Sequence, residues 1–199
     1  MRKIVFVLAA FVACGPAAAE EWPEYTYADY AFTVRFPAAP RIENATYRLA
    51  DGRSLPARIY SVSQSDGVFK VTVADLANTN LEEAAVIDNA VKTLSQGGEV
   101  KINIPHRVYH VYGRQLSIQG ADGSRSTTAV FDYKGHLYQI EGKMFAGGNP
   151  LDMLRFQQSL IFTDGGSNRS AERIEKYREA CHGQAFDPAG FDDPRCRPR

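Results

Sequence analysis

Residues 66–98 read DGVFKVTVADLANTNLEEAAVIDNAVKTLSQGG, and along them the spacing of apolar side chains lengthens from two to between three and four. Phe69, Val71 and Val73 recur at every second position, the period of a half-buried strand, entered through the turn signal Asp66-Gly67. Leu81, Ala84, Ile87, Val91 and Leu94 then fall on one stripe of a helix. Asn80 is a suitable cap, Glu82 and Glu83 stand in a first turn where the helix dipole favours negative charge, and Gly97-Gly98 ends the run. A long amphipathic helix beside a strand must lay its stripe on a sheet.

Other strands extend the pattern on both sides. Phe32, Val34 and Phe36 alternate with Ala31, Thr33 and Arg35 up to Pro37, and Val130, Phe131, Tyr133, Tyr138, Ile140 and Met144 supply further inward candidates. Asp51-Gly52, Asp122-Gly123 and Lys134-Gly135 suit hairpin turns with positive backbone dihedrals, so several neighbours are expected to be antiparallel. The Thr, Ser, Lys and Arg at alternate positions fit a sheet with one wet face. A second, short helix is expected with Asn149 as cap, Pro150 first, Asp152 in its first turn, and Leu151, Leu154 and Leu160 as core contacts. Strands with helices segregated between them argue for an α+β fold in which an antiparallel sheet packs with one long and one short helix covering one or both of its faces, and against regularly alternating βαβ units.

The 199 residues carry 23 Lys plus Arg against 23 Asp plus Glu, so nothing draws the chain to a phosphate backbone, and nucleic acid is set aside as a partner. Residues 1–19 read as a secretory signal peptide: Arg2 and Lys3, an apolar run Ile4–Val12, then Ala17-Ala18-Ala19 before Glu20, with cleavage after Ala19. The apolar run is shorter than the roughly 20 residues that span a bilayer, and no later segment reaches that length, so the mature chain is expected to have no transmembrane span. A rival cleavage is open, because Phe11-Val12-Ala13-Cys14-Gly15 loosely resembles a lipobox in which lipidated Cys14 becomes the mature N-terminus. The reading of the start places the protein in the periplasm or outside the cell, and gives three parts: residues 1–19 as signal, 20–163 as the folded domain, and 164–199 as a tail.

The tail opens with the linker Asp164-Gly165-Gly166-Ser167-Asn168, continues as a short charged helix Ala171–Ala180, and ends in turn and coil signals. Cleavage after Ala19 leaves Cys181 and Cys196, which in an oxidising compartment pair most simply with each other. A loop of about 15 residues closed in this way contributes roughly 3 kcal/mol. A zinc site of Cys181, His182 and Cys196 lacks a fourth ligand.

Chemistry-bearing patterns are sparse. His106 and His110 are the weak metal candidates, but Pro105 to Tyr112 reads as a strand, where positions four apart stand about 13 Å from each other. Zinc-to-nitrogen distances of about 2.1 Å then require a bulge for both to share an ion. His136 is expected at a surface turn, and Asp75, Asp132 and Glu141 as solvent-facing side chains. There is no Gly-x-Ser-x-Gly elbow, no His-Glu-x-x-His and no phosphate loop, so neither catalytic residues nor a cofactor are assigned. Arg107, Tyr109, Tyr112 and Arg114 form a possible interaction surface, because Tyr and Arg bury much area while keeping hydrogen-bonding ends; sheet packing alone also favours strand Tyr.

The order of elements resembles the PsbP-like family of photosystem II extrinsic proteins and bacterial envelope relatives. The resemblance rests on the opening strand Tyr30–Pro37, the helix of residues 81–96, and Phe156, Ser159 and Phe162 in a closing Phe-x-x-Ser-x-x-Phe pattern, and covers roughly residues 25–162. It implies a PsbP-like sandwich and a non-catalytic accessory or adaptor domain that binds an envelope protein partner. The alternative is a small-ligand or metal-ion binding protein with a cavity between sheet and helix. No family site residue falls on a matched position, and fold resemblance alone transfers no function.

Overall fold

In a computed structural model of the chain, the structure describes residues 21–49, 51–77 and 79–163. The signal segment with its cleavage after Ala19, Cys14, the linker, the charged helix of residues 171–180 and the Cys181–Cys196 pair lie outside the described residues.

Among the described residues, ten strands and two α-helices follow in chain order: β1 (Glu24–Tyr27), β2 (Phe32–Arg35), β3 (Arg41–Arg48), β4 (Ser54–Ser63), β5 (Gly67–Asp75), α1 (Glu83–Ser95), β6 (Glu99–Val108), β7 (Val111–Gln119), β8 (Arg125–Tyr133), β9 (His136–Met144), α2 (Pro150–Gln158) and β10 (Ile161–Phe162). Seven strands form one antiparallel sheet in the order β3-β4-β5-β9-β8-β7-β6, and three form a small sheet β1-β2-β10. The expected α+β class and antiparallel pairing are both present. The small sheet is an addition to the sequence reading.

Alternation along the strands sorts the large sheet into two buried faces. Phe69, Val71, Val73, Phe131, Tyr138 and Ile140 face one core with Phe32 and Val34 of the small sheet, Phe36 just beyond it, and Met153 and Phe156 of α2. Ala74, Leu116, Ile118, Val130 and Leu137 face the other core with Val86 and Ala90 of α1. Of the two arrangements left open, helices on both faces is the one present: α1 lies across β7 and β8 on the side opposite α2, and the face expected to be wet is covered there. Both faces are covered because the central strands carry apolar side chains at consecutive positions, as in Ala129-Val130-Phe131.

Each helix departs from the sequence reading in a way that has a backbone cause. Asn80 takes a left-handed conformation at φ 48°, whereas a cap residue needs an extended one. Helix α1 accordingly begins at Glu83 with Glu82 in the cap position and no side-chain cap bond. Its buried face is Glu83, Val86, Ile87 and Ala90, so Ala84 is exposed while Leu81, Val91 and Leu94 only flank the core. Helix α2 starts as expected, Asn149 Oδ1 accepting the Leu151 amide at 3.1 Å with Pro150 first. Leu151 nevertheless points to solvent and Leu154 is half-buried, while Met153, Phe156 and Gln157 face the sheet. The seat for that face is Gly142 of β9: a Cβ there would stand 2.7 Å from Met153 Cα, closer than real side chains come.

The turns behave as read with one change. Gly52, Gly123 and Gly135 have the positive φ that tight hairpins require. Gly67 does not; it opens β5, where a Cβ would collide with Met144 and come within 2.5 Å of the Lys143 carbonyl oxygen. Glycine serves there for close approach rather than for turning.

The opening and closing patterns of the chain meet in space. Ser159 Oγ accepts the Arg35 amide at 3.0 Å and donates to the Phe156 carbonyl at 2.7 Å, fastening the end of α2 to β2. β10 then pairs with β2 and inserts Phe162 against Phe131, Tyr133 and Tyr138, with ring centroids 4.7–5.6 Å apart. Phe156, Ser159 and Phe162 are thus positions of structure, each with a contact that accounts for it.

Candidate functional site

The hairpin β6–β7 stands at one edge of the large sheet, and β6 is the sheet's most exposed strand. β6 is the edge strand, and eight of its ten residues are solvent-exposed. Three apolar side chains are among them: Val100, Ile102 and Ile104, the last two 44% and 48% exposed. A bulge lies between Val100 and Ile102. Beyond it, Ile102 pairs with Ser117, Ile104 with Gln115, His106 with Gly113 and Val108 with Val111. Val111 belongs to the core beneath α2, so these pairs share the α2 side of the sheet. Asn103, Pro105 and Arg107 pair with Leu116, Arg114 and Tyr112 and share the α1 side, to which Leu116 belongs.

This register brings three of the four expected interaction residues together, Arg107 beside Tyr112 and Arg114 one pair further along, with Tyr109 at the tip. Tyr109 is 60% exposed and holds φ 52°, an uncommon conformation for a residue with a side chain. Arg114 is not swinging freely, because its Nε and Nη2 donate to Asn103 Oδ1 at 3.0 and 2.7 Å. Positive charge predominates on the hairpin, where Glu99 at the start of β6 pairs with Lys101 at 2.5 Å. From Val100 to Ala121 the sequence has Lys101, Arg107 and Arg114 and no Asp or Glu.

His106 and His110 are not brought together. The expected continuous strand breaks after Val108, and a two-residue turn at Tyr109 and His110 leaves His110 exposed while His106 stays on β6. His106 Nε2 lies 3.0 Å from Gln157 Nε2, with its ring 5.8 Å from that of Phe131. An amide nitrogen can only donate, so the imidazole accepts at Nε2 and carries its proton on Nδ1. Burial holds the His106 pKa below its ordinary value of 6.5. Among the described residues no three His, Cys, Asp or Glu side chains cluster to hold a metal ion. The side chain that sequence reasoning passed over is Gln157, almost wholly buried and joining α2 to the edge hairpin.

The carboxylates read as solvent-facing have protein partners. Glu141 pairs with Lys70 at 2.7 Å, and Asp75 Oδ1 accepts the Ala77 amide at 2.8 Å. Asp75 stands opposite His136 in the ladder, and both are half-buried.

No family model matches the chain, and no curated protein matches it. Among solved structures the chain is similar to the solution structure of cyanobacterial PsbP (CyanoP) from Synechocystis sp. PCC 6803, at 13% identity and a TM-score of 0.45, over 75% of this chain and 97% of that one. None of the described helices is long and apolar enough to cross a membrane.

Proposed function

We propose that the chain is an exported, non-catalytic accessory domain of the bacterial envelope, and that its β6–β7 hairpin docks an extended, acidic segment of a protein partner. The observation that carries this reading is the exposed edge strand with Ile102 and Ile104 in a stretch free of acidic residues. An edge strand presents a row of unpaired backbone N–H and C=O groups, a template on which another chain can add as a strand. Alternate side chains of the added strand would meet Ile102 and Ile104 on one face and Arg107, Tyr112 and Arg114 on the other. Arg107 and Arg114 favour a partner rich in Asp and Glu and disfavour basic segments, Lys101 being paired with Glu99.

The same edge carries devices that limit indiscriminate pairing. Pro105 withholds one donor, Lys101 adds charge and the bulge after Val100 breaks the register. Self-association is therefore held down while a matching partner is accepted. The signal-like start is what supports the envelope location.

A photo-crosslinking residue placed at Ile104 of the full chain, expressed in its native envelope, tests the reading. The expected adduct maps to one partner segment with an excess of Asp and Glu, and the same residue placed at Gln64 on the β4–β5 turn gives none of it. An identical adduct from both positions, or a basic captured segment, would overturn it.

A further inference from the structure

A second site lies on the other half of the sheet and is independent of the hairpin reading. The ladder places Asn44 beside Arg58, Arg58 beside Val73, and Asp75 beside His136. Residues two apart on a strand share a face, so all five stand on the side that carries Val73 into the α2-side core. The small sheet does not cover this end of the floor. Its nearest part is the single 3-10 turn Ala28–Tyr30, and against it opens a cleft of about 210 Å³ lined by Tyr30, Asn44, Pro56, Arg58, Asp75 and His136, with Val73 at the bottom.

The rim is fixed before anything enters. Tyr138 donates its hydroxyl to the Tyr30 carbonyl at 2.8 Å, and the Tyr30 ring meets His136 edge-on at 5.3 Å. Arg58 stands 5.9 Å from the centre of the Tyr30 ring. His136 Nδ1 lies 3.1 Å from the Lys134 carbonyl, which can only accept, so Nδ1 carries the proton and Nε2 presents a lone pair. Asp75 uses Oδ1 on the Ala77 amide, which leaves Oδ2 for another donor.

From these groups we infer that the cleft binds a small zwitterion of the α-amino-acid class, its carboxylate on Arg58, its ammonium on Asp75 and His136, and its apolar part on Val73 and Pro56. The guanidinium argues against a metal cation, because one carboxylate and one imidazole are too few ligands to offset its repulsion. A simple anion would set a second negative charge beside the half-buried Asp75 with no cation between them. The volume is below the roughly 300–1,000 Å³ of sites for larger ligands, which restricts the occupant to a small molecule.

Titrating L-valine into isotope-labelled full-length protein tests this by amide chemical shifts. Saturable shifts are expected at Val73, Asp75 and His136, while N-acetyl-L-valine and L-valinamide, each lacking one charge, bind at least about tenfold more weakly. Arg58→Gln and Asp75→Asn should each abolish the shifts without lowering the melting temperature. Absence of saturation with L-valine, equal response to the blocked forms, or an unchanged titration in a folded Arg58→Gln variant would overturn the assignment.

Discussion

Phe156→Ala is expected to lower the unfolding free energy by about 3–5 kcal/mol, a large part of the roughly 5–15 kcal/mol that holds a domain of this kind together. The ring is fully buried at the junction of all three layers on its side of the molecule. It sits 4.9 Å from Phe36 of the segment following β2 and 5.3 Å from Phe69 of β5. Truncation removes those contacts together, and the cavity cannot collapse readily, because α2 already rests on the backbone of Gly142. The damage should extend to β2, whose Arg35 amide is held by Ser159 one turn further along. Phe156→Leu should cost much less, since it keeps most of the volume. Urea denaturation of the full chain reads both variants, and a loss under about 1 kcal/mol for Phe156→Ala would contradict this packing.

Ile102→Glu combined with Ile104→Glu is expected to weaken binding of the acidic partner segment by at least about a hundredfold while leaving the fold unchanged. Burial of one such side chain against a partner contributes about 1.5–3 kcal/mol, so loss of two accounts for the factor before repulsion from the new carboxylates is counted. Both side chains are exposed in the chain by itself, so the stability change should stay within about 0.5 kcal/mol. Binding of the segment mapped from Ile104, made as a synthetic peptide, measures the effect. Undiminished affinity in the double variant would remove the hairpin from consideration.

Much of the architecture was legible because it rests on local chemistry. The strand of Phe69, Val71 and Val73, the Asn149-Pro150 helix start and the hairpin turns follow from period, cap and turn residues that act within a few positions. What was not legible depended on tertiary context. No local rule gives the left-handed Asn80 that delays α1, or the rotation of its buried face toward Val86 and Ala90, because both follow from where α1 settles on β7 and β8. The strand reading of Pro105–Tyr112 missed the turn at Tyr109 and His110, which lacks the Asn-Gly or Asp-Gly signature of tight hairpins.

The two sites were legible to different degrees. Pro105 inside a strand pattern is a sequence-level mark of an edge, and the absence of Asp and Glu from residue 100 to 121 can be read without coordinates. The cleft at Tyr30 could not be read in that way. Its residues come from four separate strands and a 3-10 turn, and only the ladder β3-β4-β5-β9 brings Asn44, Arg58, Asp75 and His136 onto one surface.

Hydrogen exchange of the full chain, with and without the mapped acidic segment, tests the central claim most directly. An added strand must bond to the outward amides of β6, so protection should rise between Ile102 and Val108 and stay level on β3, the opposite edge. Protection that appears on β3 instead, or binding that leaves the β6 amides exchanging as before, would contradict docking by strand addition at this edge.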